Sequence, residues 1–275
     1  MRFFFNILII LPFNAFSQNI NMIKDLNDTQ KKIFLNLIQE DSKVSTFSIQ
    51  HQNYLDSIIA LVPKDPFFLQ QKAMPLFKQK KYELGMKYLD KAVKLDSTTY
   101  YEEYRAFIKC IFQKNYTESI NEFNILTKIN GDRIIMDHTY SFWIGLCYLQ
   151  LNEFVKAKEY IIKAISFSKT NNIVNPYEVF YLGIIEFEIG NYLEAIENFN
   201  LSIKNYENFA DAKYYKALSL MEIKNNTEAR QYFFESKKDF KNGNSFNEGN
   251  SQYERFPYQV SLFTYSYAEE FFKFN

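Results

Sequence analysis

Apolar positions recur along most of this chain at intervals of three and four residues, the spacing that gathers side chains on one face of an α-helix. The clearest segments open on an aromatic residue, pass two spacers to a small residue, and reach a large apolar residue four positions on. A further core position follows three residues later. Tyr82 leads in this way to Gly85, Leu89 and Ala92, and Tyr116 to Ser119, Phe123 and Leu126. Phe154, Ala157, Ile161 and Ala164 repeat the pattern, as do Tyr192, Ala195, Phe199 and Ser202. Asn226 replaces the aromatic in the last copy, ahead of Ala229, Phe233 and Ser236. Successive copies stand 34, 38, 38 and 34 residues apart. Such a period signals a solenoid, in which each unit buries its apolar face only against its neighbours. The small residue lets a neighbouring helix come close.

Ahead of two copies stand Ile144-Gly145-Leu146-Cys147-Tyr148 and Leu182-Gly183-Ile184-Ile185-Glu186, with looser versions at Lys216-Ala217-Leu218-Ser219-Leu220 and Lys72-Ala73-Met74-Pro75-Leu76. With these motifs the chain resembles the tetratricopeptide repeat family over about residues 66 to 240. The resemblance implies an all-α fold, a right-handed superhelical solenoid of antiparallel helix pairs. Five repeats would occupy 66–99, 100–133, 138–171, 176–209 and 210–240. The chain departs from the family pattern at Gly85 and Ser119, which replace the usual Ala, and the turn proline is absent after every copy. Pro75 falls inside a predicted helix, where it should kink the helix or leave a carbonyl unpaired. Two units run four residues long, about one helical turn, around Gly131-Asp132-Arg133 and Thr170-Asn171-Asn172.

Residues 18–65 carry no repeat, but Ile33, Leu37, Leu55, Ile58 and Leu61 give helical periodicity and predict an amino-terminal cap. Residues 241–275 begin as a polar, Gly/Asn-rich loop as far as Pro257. They then turn aromatic at Tyr258, Phe263, Tyr265, Tyr267, Phe271, Phe272 and Phe274, a tail that needs a place to dock. At the other end, Met1-Arg2, an apolar run from Phe3 to Phe13 and Ala15-Phe16-Ser17 read as a secretory signal peptide over 1–17, cut after Ser17. The run falls short of the about 20 residues a membrane span needs. No lipobox Cys stands at the cut. The expectation is an exported protein, periplasmic or secreted, with no integral membrane segment once the signal is removed.

Composition narrows the function. Seven Gly and six Pro among 275 residues are too few for a β-sandwich or an α/β fold with many turns. Thirty-two basic residues balance thirty-two acidic ones, so there is no footprint for nucleic acid. Two His and two Cys leave little for a metal cage or a His-based reaction, and no phosphate loop or nucleophile elbow is present. His138, near a helix start, reads as a surface or cap residue. Glu102-Glu103 and Glu269-Glu270 point apart on a helix and read as solvated. Cys110 and Cys147 read as buried thiols, with at most one bridge between them. No enzyme activity, cofactor or small-molecule ligand is expected.

In the family, the first helices of the repeats line a concave groove. The resemblance places Phe67, Gln70, Tyr101, Tyr104, Arg105, Phe142, Trp143, Tyr177, Phe180, Tyr181, Tyr214 and Tyr215 on it. Such rings serve equally as inter-helix packing and as binding anchors, because they bury much area for few rotamers. The family's clamp for acidic carboxy-terminal peptides needs Lys and Asn where this chain has Gln70, Met74, Tyr104 and Ile108. These residues predict a non-catalytic scaffold whose groove holds a peptide segment of a partner protein. Two alternatives use the same stripe: stacking on glycan or cell-wall sugars, or self-capping by the chain's own aromatic tail.

Overall fold

The structure is a computed structural model and describes residues 23–274. The signal peptide read at 1–17 lies outside the described residues. Among the described residues are thirteen helices and one pair of two-residue strands. The described residues divide into two compact units, one running to Arg105 and one from Ala106 onward. Each is taken by itself.

The first unit holds α1 (Asp28–Asp41), α2 (Ile49–Leu61), α3 (Pro66–Lys78), α4 (Tyr82–Leu95) and the start of α5 (Tyr100–Ile111). Asn27 opens α1 with a capping box: its side chain accepts the Gln30 N–H, and the Gln30 side chain accepts its N–H in return. The core here gathers Leu26, Phe34, Leu55, Ile58, Val62 and Phe68, with Leu37 and Leu61 packed at its edge. Ile33, expected in that core, is 47% exposed, because the buried face of α1 centres on Phe34. Lys72 ties α3 to α2 through the Asp56 carboxylate (2.7 Å) and the Gln52 carbonyl (2.9 Å). The helix does not end at Pro75. That proline sits in the last turn of α3, so its missing N–H costs a single bond near the end.

The second unit continues with α6 (Tyr116–Asn130), β1 (Ile134–Ile135), β2 (His138–Thr139), α7 (Tyr140–Gln150), α8 (Phe154–Thr170) and α9 (Pro176–Glu188). It ends with α10 (Tyr192–Asn205), α11 (Ala210–Glu222), α12 (Asn226–Lys241) and α13 (Leu262–Phe274). The pairs α7/α8, α9/α10 and α11/α12 pack most closely. Each first helix ends on a residue in the left-handed region: Asn152 (φ 59), Gly190 (φ 81) and Lys224 (φ 64). The next N–H then reaches back to the last helical turn, as from Glu153 to the Tyr148 carbonyl (3.0 Å) and from Asn191 to the Glu186 carbonyl (2.8 Å). This is a Schellman closure made three times, and it turns the chain sharply into the second helix.

The two long repeats resolve differently. Around Thr170 the extra residues lengthen the helix, since α8 has 17 residues where α10 has 14. Around Gly131 they form no helical turn. Ile134 pairs with Thr139 and Ile135 with His138 in an antiparallel hairpin. Met136 (φ 48) and Asp137 (φ 67) make the left-handed two-residue turn that suits such a hairpin. The Ile135 carbonyl accepts the Trp143 indole N–H at 3.0 Å, which pins the hairpin to α7.

Helix α13 closes the far side of the last pair. Phe272 stacks on Phe233 (4.1 Å between ring centres), and the Tyr265 hydroxyl bonds Ser236 at 2.6 Å. The aromatic tail therefore docks on α11 and α12, while Phe263 (79%) and Tyr267 (70%) stay exposed.

Candidate binding groove and the loop that fills it

Helix α9 touches both α7 and α11, so the first helices of three successive pairs share one face. Trp143 from α7, Tyr177, Phe180 and Tyr181 from α9, and Asp211 and Tyr215 from α11 lie on it, with Phe209 at its rim. That face is covered. Residues 244–260 leave α12, run across the three helices, turn, and come back.

The path can be followed contact by contact. The Ser245 hydroxyl donates to Asp211 Oδ2 (2.8 Å). Phe246 then inserts among Tyr177 (5.1 Å, nearly parallel), Phe209 (5.3 Å), Phe180 (5.5 Å) and Tyr181 (5.8 Å). The Asn247 N–H donates to the Tyr177 hydroxyl (3.3 Å), and Glu248 reaches His138 Nε2 (3.0 Å). At the far end Lys114 donates to the Arg255 carbonyl (3.1 Å) and faces Glu254 (3.6 Å). On the return, Phe256 packs on Phe246 (5.6 Å) and Trp143 (6.2 Å), and the Tyr181 hydroxyl donates to the Pro257 carbonyl (2.9 Å). Tyr258, with φ 61, lays its ring against Tyr215 (5.7 Å). The Val260 N–H closes the circuit on Asp211 Oδ1 (2.7 Å). Ends held together over a compact irregular path define an Ω-loop.

Asp211 is thus the clasp. It is fully buried, and burial raises its pKa from the usual 3.8 to about 6, against the lowering by the Val260 N–H and the Ser245 hydroxyl. Burial likewise lifts the Tyr177 phenol to about 12 and raises the Glu178 carboxyl. Burial moves both the Asp211 and the Glu178 carboxyls toward neutrality, and the Asp211 oxygens are committed to the loop.

The residues expected on the groove separate into groups. Trp143, Tyr177, Phe180, Tyr181 and Tyr215 come together directly under the loop. Phe142 lies one layer below, stacked on His138 (3.8 Å) and edge-on to Tyr181. Tyr214 faces elsewhere, against Phe233 and Tyr265. In the first unit, Phe67 is half-buried edge-on to Phe68, and Gln70, Tyr101 and Tyr104 are buried. Arg105 is drawn into an ion pair with Asp90 (3.0 Å). Burial raises the phenols of Tyr101 and Tyr104, as expected of packed rings.

Three sequence readings need correction. His138 is no surface cap; it is 2% exposed and bonded to Glu248. Glu103 is buried rather than solvated and accepts the Thr99 hydroxyl at 2.8 Å. The groove is filled chiefly by the polar loop, not by the aromatic tail after it. Sequence reasoning passed over Phe246, Glu248, Phe256 and Asp211. The available signal was three aromatics, Phe246, Tyr253 and Phe256, inside an otherwise polar Asn/Gly stretch. Cys110 and Cys147 are free, buried thiols whose sulfurs lie 3.3 Å apart.

The tetratricopeptide repeat family model matches residues 68–99 and 138–171, which contain the pairs α3/α4 and α7/α8. The chain carries tetratricopeptide repeats. Proteins with this repeat bind protein or peptide partners and are in general scaffolds without catalysis. Among solved tetratricopeptide-like structures, PilW, a widely conserved type IV pilus biogenesis factor, superposes with a TM-score of 0.61 at 14% identity, covering 78% of this chain and 96% of that one. A tetratricopeptide repeat protein from Parabacteroides merdae gives 0.59 at 17% identity, covering 78% and 94%. PilF of Pseudomonas aeruginosa gives 0.56 at 15%, covering 82% and 93%. At such identities the likeness is one of fold. No curated protein sequence matches the chain. Among the described residues no helix is long and apolar enough to cross a membrane, and no group of three or more metal-ligating side chains occurs.

Proposed function

We propose that the chain is a non-catalytic binding scaffold whose aromatic groove holds a peptide segment of a partner protein. One observation carries this reading: the groove of the second unit already holds a peptide segment, residues 244–260 of the same chain, through ring stacking and backbone hydrogen bonds. A surface that orders an irregular segment in cis has the chemistry to do so in trans. The same observation favours self-capping, with the loop as the capping element. It weakens the glycan reading, because rings that would stack on sugars are packed against Phe246, Phe256 and Tyr258. A non-catalytic role is supported by the general character of tetratricopeptide repeat proteins as scaffolds. The signal-peptide pattern read in the sequence at 1–17 supports an exported protein. On this reading a cap at 18–65 precedes five repeats over 66–240, and the loop and tail follow at 241–275.

The test is a cross-linking capture with the chain from Gln18 onward, beside a Tyr177→Ser/Tyr215→Ser variant of unchanged helical circular dichroism. Both rings are only half-buried, so the exchange spares the deeper core. A partner held by the wild type and lost by the variant is expected. A partner held equally by both places binding elsewhere and overturns the proposal.

A further inference from the structure

We infer that the groove's ligand is an extended peptide bearing Phe-x-Glu, and that the loop carries the resident copy which the partner's segment displaces. This rests on the peptide-scaffold reading above and names its ligand.

The Phe position is set by the box. Four aromatic rings from α9 and the start of α11 surround Phe246, two of them contributed by tyrosines that also bond the loop backbone. Such a box selects a flat ring by its edges and faces, not merely any apolar side chain. The Glu position is set by His138. The imidazole is stacked on Phe142 and nearly inaccessible, and its Nε2 partner is the Glu248 carboxylate from the loop. Remove the acid and a buried ring nitrogen loses its bond, so the groove itself demands a carboxylate at that point. The residue between them is unconstrained. Asn247 is exposed and engages the groove only through its backbone N–H.

The resident copy is built to leave. Within 244–260 only Phe246, Phe256 and Val260 are buried, whereas Asn247, Gly249, Gln252 and Arg255 are exposed. Few side chains offset the cost of ordering a long irregular segment, and segments of that kind open at low free energy. Gly243, in the left-handed region at φ 84, stands where the loop leaves α12. The loop keeps its place because tethering at both ends gives it a high local concentration, an advantage that a free peptide lacks.

The experiment uses the whole chain and a fluorescein-labelled synthetic peptide with the sequence of residues 242–251. A Phe246→Ala/Glu248→Ala chain loosens the resident copy and leaves the groove residues unchanged. It should bind the peptide about tenfold more tightly than the wild type, because intramolecular competition is relieved. Peptides carrying Phe246→Leu or Glu248→Gln should each bind it about tenfold less well, the scale of one lost aromatic or charged contact. Equal binding of all three peptides overturns the Phe-x-Glu assignment while the scaffold reading stands. Binding of none, in a variant that keeps its circular dichroism and Trp143 emission, overturns both. Should the double variant fail to fold, a Glu248→Gln chain, which leaves the ring cluster intact, must still show a several-fold gain over wild type, and no gain overturns the inference.

Discussion

Asp211 makes the stability of the second unit depend on pH in a direction that can be worked out. Its carboxyl is fully buried and holds both ends of the loop, and burial raises its pKa from 3.8 to about 6. The folded chain therefore takes up this proton at a higher pH than the unfolded chain does. Stability rises as pH falls through the folded value and levels off below the unfolded one. With about 6 for the folded state and 3.8 for the unfolded, acidification from about pH 7 to about pH 5 adds on the order of 1 kcal/mol from this group, toward a ceiling of about 3 kcal/mol. Glu178 in the same unit is raised by burial and acts with the same sign. Urea unfolding followed by Trp143 emission reports this unit directly. On acidification the wild-type midpoint should rise relative to that of Asp211→Asn, by on the order of 1 kcal/mol. The variant should also lose about 1–3 kcal/mol near neutrality, because the amide nitrogen replaces an acceptor among the Val260 and Phe246 N–H groups that the carboxylate serves. Equal pH slopes in the two proteins would refute the reasoning.

Two further outcomes follow from packing. At Gly183 an added Cβ would lie 2.6 Å from the Phe199 ring, which is itself fully buried. Gly183→Ala should then lose about 1–3 kcal/mol to overpacking, against about 1 kcal/mol gained in helix propensity. Thermal unfolding should show a lower Tm, partly restored by Phe199→Leu, and a variant as stable as wild type would contradict the close approach. The thiols of Cys110 and Cys147 are buried, and burial first, then the neighbouring sulfur, raises Cys110 well above its ordinary pKa. Since the thiolate is the reactive species, neither should label with Ellman's reagent in the native protein, and both should label in denaturant. Rapid labelling without denaturant would show that the cluster opens.

Helices were legible because their signal is local. The step from Tyr192 to Ala195 to Phe199 needs only the 3.6-residue turn to place three side chains on one face, and its recurrence needs only neighbours of the same kind. Gly85 could be read as a point of close approach for the same reason, and a Cβ added there would lie 2.7 Å from the Phe77 ring. The hairpin at 134–139 was not legible, since four added residues give no sign of whether they will lengthen a helix or pair as strands. Nor was Glu103, which adjacency to Glu102 made look solvated.

The sequence alone therefore determined the helical repeat, its period and the aromatic character of the first-helix face. Tertiary structure alone decided what covers that face. Glu248 meets His138 across 110 residues and Val260 meets Asp211 across 49. Neither contact leaves a periodic trace, because a loop's path is set by the distant groups that satisfy its backbone and accept its few buried rings, not by the spacing of its own residues.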